Sequence, residues 1–193
     1  MTKLYIIRHA EAEGNLYRRG QGHHDGAVTA QGYRQIQTLA ERFHDIHIDA
    51  VYSSDLRRTI ATAEAIANSR GLVIHTTPVL RELQMGAWED RAWGDLEYEN
   101  PGQMYNFNSD PEKWTITEAE SFASLASRMT AAIEDIAREN DGKSVAVVSH
   151  GMAIRTLFCV LSGHSLGEIA EIPHSDNTAV SLIEYDGTGF KVV

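Results

Sequence analysis

Two short apolar runs constrain this chain more than any other feature. Leu4-Tyr5-Ile6-Ile7 stands near the start, and Val145-Ala146-Val147-Val148 lies far downstream. Apolar runs of this length, bounded by polar residues, predict buried strands. Each is followed at once by a histidine step: Arg8-His9-Ala10-Glu11 after the first, Ser149-His150-Gly151 after the second. In an open α/β sheet, residues just past the carboxyl ends of strands line the ligand crevice. Two histidines delivered to that edge, one beside an arginine, predict a site for a phosphoryl group.

The rest of the chain supplies such a sheet. Apolar runs alternate with amphipathic stretches, which predicts βα units on a largely parallel sheet. Thr29 can cap a helix whose apolar face is Ile36, Leu39, Ala40 and Phe43. Ala50 to Ser53 is a short strand, Asp55 to Arg70 a helix stopped by Gly71, and Leu72 to His75 another strand. Phe122, Leu125, Met129, Ile133 and Ile136 mark a long helix, and a further helix follows Gly151 and ends near Gly163. Ala179 to Tyr185 and Phe190 to Val193 predict a hairpin around Asp186-Gly187. The fold class is α/β in three layers: a mostly parallel central sheet flanked by helices.

The stretch from about 84 to 119 breaks this rhythm. It carries Trp88, Trp93, Trp114, Tyr98, Tyr105 and Phe107, with two prolines and no clean periodicity. It reads as an aromatic-rich insertion that covers the crevice of a single domain spanning 1–193, not as a second domain.

Charge and cysteine content exclude several function classes. The net charge is −10, which excludes a nucleic-acid surface. An anionic substrate also meets long-range repulsion, so a phosphate site requires a local cluster of cations. No apolar stretch approaches the roughly 18 residues of a membrane span, and the first apolar run is too short for a signal peptide. Cys159 is the only cysteine. It lies in an apolar run, so it reads as a small buried residue in a reducing, cytoplasmic protein.

The motifs, taken together, resemble the histidine phosphatase superfamily, which includes cofactor-dependent phosphoglycerate mutases and small phosphomonoesterases. That family's Arg-His-Gly-Glu-x-x-x-Asn appears as Arg8-His9-Ala10-Glu11-Ala12-Glu13-Gly14-Asn15. Gln21-Gly22, Asp25, Val28-Thr29 and Gly32 follow in order. The family's Ser-x-Leu-x-Arg appears as Ser54-Asp55-Leu56-Arg57-Arg58, and its Arg-Glu-x-x-x-Gly-x-Trp-Glu as Arg81 to Glu89. Ser149-His150-Gly151 is the second histidine motif, and Glu120-Ser121-Phe122 and Asn177-Thr178-Ala179 also look similar. The resemblance covers nearly the whole chain. Ala10 and Ala12 depart from it, standing where the family has glycine and threonine, which bears on substrate fit and not on reaction class.

The resemblance implies a phosphomonoesterase acting on a small phosphorylated metabolite through a covalent phosphohistidine. A lone histidine at a strand end reads as structural. In register with Arg8, Asn15 and His150, His9 reads as the nucleophile, since an imidazole of ordinary pKa near 6.5 is largely neutral at pH 7. Arg8 and Arg58 are expected to clamp the phosphate with paired guanidinium hydrogen bonds. Arg57 competes for that role, and the motif spacing selects Arg58. His150 is expected to donate to a phosphate oxygen. Glu82 is expected to be the general acid, in an environment that disfavours its charge. Asn15, Gln21, Gly22 and Gly151 are expected to bind the substrate. Glu11 and Glu89 read as structural.

The route implies no cofactor and no metal. His23-His24 and His44-Asp45-Ile46-His47 lack a convincing ligand set and read as solvated histidines. Mutase and non-catalytic phosphate-binding readings stand as alternatives. Between Arg91 and Arg128 there is no arginine and only Lys113, against seven acidic residues. A second anionic group on the substrate finds little to pair with there, which favours hydrolysis. The many aromatics of that stretch suggest a substrate with a neutral, sugar-like or ring portion.

Overall fold

The computed structural model describes residues 1–193. Six strands form one mixed sheet: β1 (Thr2–Arg8), β2 (Ala50–Ser53), β3 (Ile74–Thr76), β4 (Ser144–Ser149), β5 (Val180–Tyr185) and β6 (Phe190–Val192). Their order is β3-β2-β4-β1-β5-β6. The four strands β3, β2, β4 and β1 pair in parallel, and β5 and β6 close the sheet as an antiparallel hairpin.

The pleat sends alternate side chains to opposite faces, and that alternation builds three layers. Leu4, Ile6, Val145 and Val147 enter one core, while Ile7, Ala146 and Val148 enter the other. The larger core is covered by α6 (Phe122–Glu139) and α7 (Gly151–Leu161), through Leu125, Met129, Ile133, Ile154 and Leu157. The smaller is covered by α2 (Ala30–Phe43) and α3 (Arg57–Ala67), through Leu39, Phe43, Ala63 and Ile66. Thr29 caps α2, its side chain accepting the Gly32 N–H. Ser121 caps α6 in the same way, accepting from the Ser124 N–H.

Local differences from the sequence reading have local causes. The helix expected from Asp55 begins at Arg57, because Asp55 is drawn into a bidentate pair with Arg81 at 2.6 Å for both bonds. It ends at Ala67, and a tighter 3₁₀ turn carries the chain to Gly71, whose φ of +64° suits glycine. The segment between β1 and α2 contains one short helix, α1 (Glu13–Leu16).

The insertion is more than a cover. It forms α4 (Trp93–Glu99) and α5 (Pro101–Ser109). Trp88, Phe107 and Trp114 pack against one another, and Phe107 and Trp114 pack edge-on against Phe122 at the start of α6, with centroid separations of 5.5–6.1 Å. They are part of the larger core. Most of the aromatic richness is thus core packing, and only part of it bears on the substrate. Trp88 and Trp114 anchor the insertion, Tyr98 and Tyr105 are exposed, and only Trp93 and Phe107 reach the crevice. No helix is long and apolar enough to cross a membrane.

Candidate active site

Sheet register decides where the histidines meet. Arg8 of β1 stands opposite Ser149 of β4, and Ser53 of β2 opposite Val148. The three parallel strands thus end at the same level. The backbone continues the ladder one step further: the His9 N–H donates to Ser149 O at 3.0 Å and the Ser54 N–H to Val148 O at 3.0 Å. His9, Ser54 and His150 emerge side by side at the carboxyl edge. The two imidazole rings lie 5.2 Å apart between centroids.

A cavity of about 420 Å³ opens over this edge. Arg8, His9, Asn15, Gln21, Gly22, Arg58, Glu82 and Gly151 all line it. His150 is not among the lining residues: it is fully buried, next to His9. Arg57, the competing arginine, is turned outward and paired with Asp25 at 3.1 Å.

Each ring nitrogen has a defined environment. His9 Nδ1 is 2.7 Å from Ala10 O. A carbonyl only accepts, so Nδ1 carries the hydrogen and Nε2 keeps a free lone pair. Burial, then the charges of Arg58 and Arg8, hold His9 well below its ordinary pKa of 6.5. Burial, then Arg58 and His9, do the same to His150. Both rings are neutral at pH 7. His150 Nε2 lies 2.8 Å from Ser54 Oγ, and its Nδ1 is buried without a partner.

Two of the cavity arginines, Arg8 and Arg58, are held by carbonyl oxygens, not by carboxylates. Arg58, fully buried at the start of α3, donates to His24 O at 2.7 Å and Gly22 O at 2.8 Å. Arg8 donates to Ser175 O. The Nε of each is buried and unpaired. Burial lowers Arg58 to about 10, which leaves it charged at neutral pH. On a molecule of net charge −10, this is the local cation cluster that an anion requires.

Glu82 differs from its expected setting. Its Oε1 accepts the N–H of Leu83 at 2.9 Å and of Ala153 at 2.8 Å, and its Oε2 accepts the N–H of Met152 at 3.0 Å. The carboxyl group caps α7 instead of lying in apolar surroundings. Backbone N–H groups address it as an acceptor, so a proton to be donated must sit on the remaining lone pair of Oε2. Asn15 Oδ1 accepts from the Ala12 N–H at 3.0 Å, which leaves its amide N–H₂ free.

Several neighbours lie outside the residues that the sequence pointed to as the site. His174, Arg19, Glu97 and Asn108 line the outer cavity. Ser175 and Asn177 hold Arg8 and His9 through backbone contacts, the latter from Asn177 Nδ2 to His9 O at 2.9 Å. They arrive from a segment more than 160 residues away in sequence. Ser54 sits inside a recognised motif, yet only the fold brings its hydroxyl to His150. His23 bonds to Glu82 O, His44 to Asp45 and His47 to Asp49.

The family model described as histidine phosphatase superfamily (branch 1) matches residues 4–193. The chain belongs to that superfamily. Among its relatives is a probable phosphoglycerate mutase GpmB from Proteus mirabilis, 37% identical over 84% of this chain and 76% of the relative. Another is phosphoserine phosphatase 1 from Hydrogenobacter thermophilus, 30% identical over 96% of this chain and 88% of the relative. Of the solved structures, Bacillus stearothermophilus YhfR superposes with a TM-score of 0.95, at 29% identity, over 100% of this chain and 95% of that one.

Proposed function

We propose that this histidine phosphatase superfamily member hydrolyses a small phosphorylated metabolite through a phosphohistidine on His9. The observation that supports this reading is the state of that ring. It is neutral, its hydrogen is committed to Ala10 O, and its free Nε2 belongs to a cavity that also holds Arg8 and Arg58.

The chemistry balances with water as the only co-reactant. His9 Nε2 attacks phosphorus, a P–N bond forms and the ester P–O bond breaks. The leaving alkoxide takes a proton from Glu82. Water then attacks the phosphohistidine, returns a proton to Glu82, and the P–N electron pair goes back to Nε2 as orthophosphate leaves. Arg8, Arg58 and the Nδ1 of His150 hold the equatorial oxygens, where charge gathers in the transition state. No step needs a metal ion, so activity is expected to survive chelation.

The outer cavity supports hydrolysis over mutase chemistry. Its one further cation, Arg19, is already engaged by Asp90, at 3.1 Å to the carboxylate and 2.7 Å to the carbonyl. Glu97 adds a negative charge without an ion-pair partner, and Asn108, Met104, Phe107 and Trp93 complete the wall. A tail that is neutral or positively charged fits this wall better than a second anion does. A non-catalytic phosphate-binding role leaves the free Nε2 without use.

A screen of phosphorylated metabolites tests the proposal, with His9→Ala as control and acid-quenched trapping of labelled phosphate on the protein. Release of orthophosphate and a label on His9 are expected. Turnover by His9→Ala at the wild-type rate, or isomerisation of 3-phosphoglycerate faster than any hydrolysis, defeats it.

A further inference from the structure

Glu82 belongs to an irregular stretch between two 3₁₀ turns, 78–80 and 86–88. Neither a helix nor a strand fixes its backbone. Arg128, in the second turn of α6, does so instead. Its Nη1 donates to Val79 O and Arg81 O, both at 2.8 Å, and its Nη2 to Glu82 O at 2.9 Å. Its Nε and Nη2 form a bidentate pair with Glu120, at 2.7 and 2.8 Å. All five guanidinium N–H groups are thereby used. Glu120 in turn donates its N–H to Gln84 O at 2.9 Å, on the other side of Glu82.

We propose that Arg128, oriented by Glu120, is the positioning residue for proton delivery by Glu82. Three carbonyls within residues 79–82 are gathered onto one planar fork, and the Glu82 side chain extends from that anchored residue to the start of α7. The fork faces a separate open hollow of about 440 Å³, lined by Arg128, Glu120, Ser124 and His23 and sharing no residue with the active-site cavity. The contact of Arg128 with the active site therefore runs only through the backbone at Glu82; its charge also bears on His150, and Arg128→Lys keeps that charge. The proposal rests on the acid role assigned to Glu82 above. A lysine cannot replace the fork, since its ammonium is a point donor that cannot span three carbonyls and a carboxylate.

The test exploits leaving-group dependence. An alkyl phosphate such as glycerol 2-phosphate needs the acid, whereas p-nitrophenyl phosphate has a leaving group that departs unaided. kcat/KM reports only the steps through ester cleavage, so it isolates acid catalysis from the hydrolysis of the phosphohistidine. Misplacing a catalytic group by about 1 Å costs about 10²-fold. Arg128→Ala is expected to lose about 30–100-fold on the alkyl ester, with the aryl ester little changed. Millimolar guanidinium, admitted by the open hollow, is expected to restore alkyl-ester activity to Arg128→Ala and not to Glu82→Gln. The double variant is expected to be no worse than Glu82→Gln alone. Arg128→Lys, measured on its folded fraction, is expected to show the same selective loss and stands in if the alanine variant does not fold. Equal losses on both esters, or losses that multiply in the double variant, overturn the positioning role. Glu82→Gln without leaving-group dependence overturns the acid reading and this proposal together. A selective Glu82→Gln beside an unselective Arg128 variant overturns this proposal alone.

Discussion

The His9 and His150 rings lie 5.2 Å apart between centroids, their planes tilted by 57°, with Arg58 bearing on both. Two neutral imidazoles packed under a guanidinium make a pH-sensitive pair. Their folded pKa values lie below the unfolded value near 6.5. Between those limits the unfolded chain binds more protons, so stability is full above about pH 6.5 and falls as pH drops through the folded values. Urea midpoints at pH 7.5 and 5.5 check this. The wild type is expected to lose more than His150→Asn, and parallel losses defeat the assignment of neutral buried rings.

Ser54 sets which nitrogen of His150 holds the hydrogen. When its hydroxyl donates to Nε2 at 2.8 Å, Nδ1 bears the N–H and, having no protein partner, is the donor proposed above for a phosphate oxygen. Ser54→Ala is expected to lower kcat/KM by about tenfold, the equivalent of one lost hydrogen bond of about 1.4 kcal/mol. Nitrogen NMR of His150 is expected to change from one tautomer to a mixture. A single unchanged tautomer in the variant would falsify this role.

Adjacent arginines should behave oppositely. Arg58 is buried in the cavity wall, and Arg57 is an exposed partner of Asp25. Arg58→Ala is expected to lose about 10²–10³-fold in kcat, the scale for removing one preorganised donor to transition-state charge. Arg57→Ala breaks an exposed pair, a change of about 0–1 kcal/mol in stability, and its turnover is expected to stay near wild type. Steady-state kinetics with parallel thermal melts separate the two, and a reversed order rejects the assignment.

Gly22 couples backbone shape to the arginine clamp. Its φ is +49°, its carbonyl accepts from Arg58 at 2.8 Å, and a Cβ there falls 2.6 Å from Glu89 Oε1. Gly22→Ala is expected to cost about 1–2 kcal/mol from the left-handed conformation alone, with a raised KM for phosphate esters. An unchanged thermal midpoint and KM contradict both halves of the argument.

Much of this was written in local patterns. The apolar runs at 4–7 and 145–148 marked the strands that lie side by side at the sheet centre, because short continuous apolar runs suit elements buried on both faces. Thr29 and Ser121 stand where helices begin, because a side-chain oxygen satisfies an otherwise unpaired N–H. Eight of the nine residues singled out from motifs line one cavity, since those motifs follow strand ends that share a level.

The sequence by itself determined which residues reach the sheet edge, and that their cations must be clustered on an acidic chain. Only the tertiary structure decided which nitrogen of His9 is free, that Glu82 caps α7, that Trp88 and Trp114 belong to the core, and that Arg128 grips the backbone of 79–82. The physical reason is range. Strand and helix patterns arise between residues a few positions apart. The His9–Ala10 bond is local, but the ring that makes it is buried beside His150, and the other contacts join residues tens of positions apart. Nothing in the local chain encodes which carbonyl a distant side chain will meet.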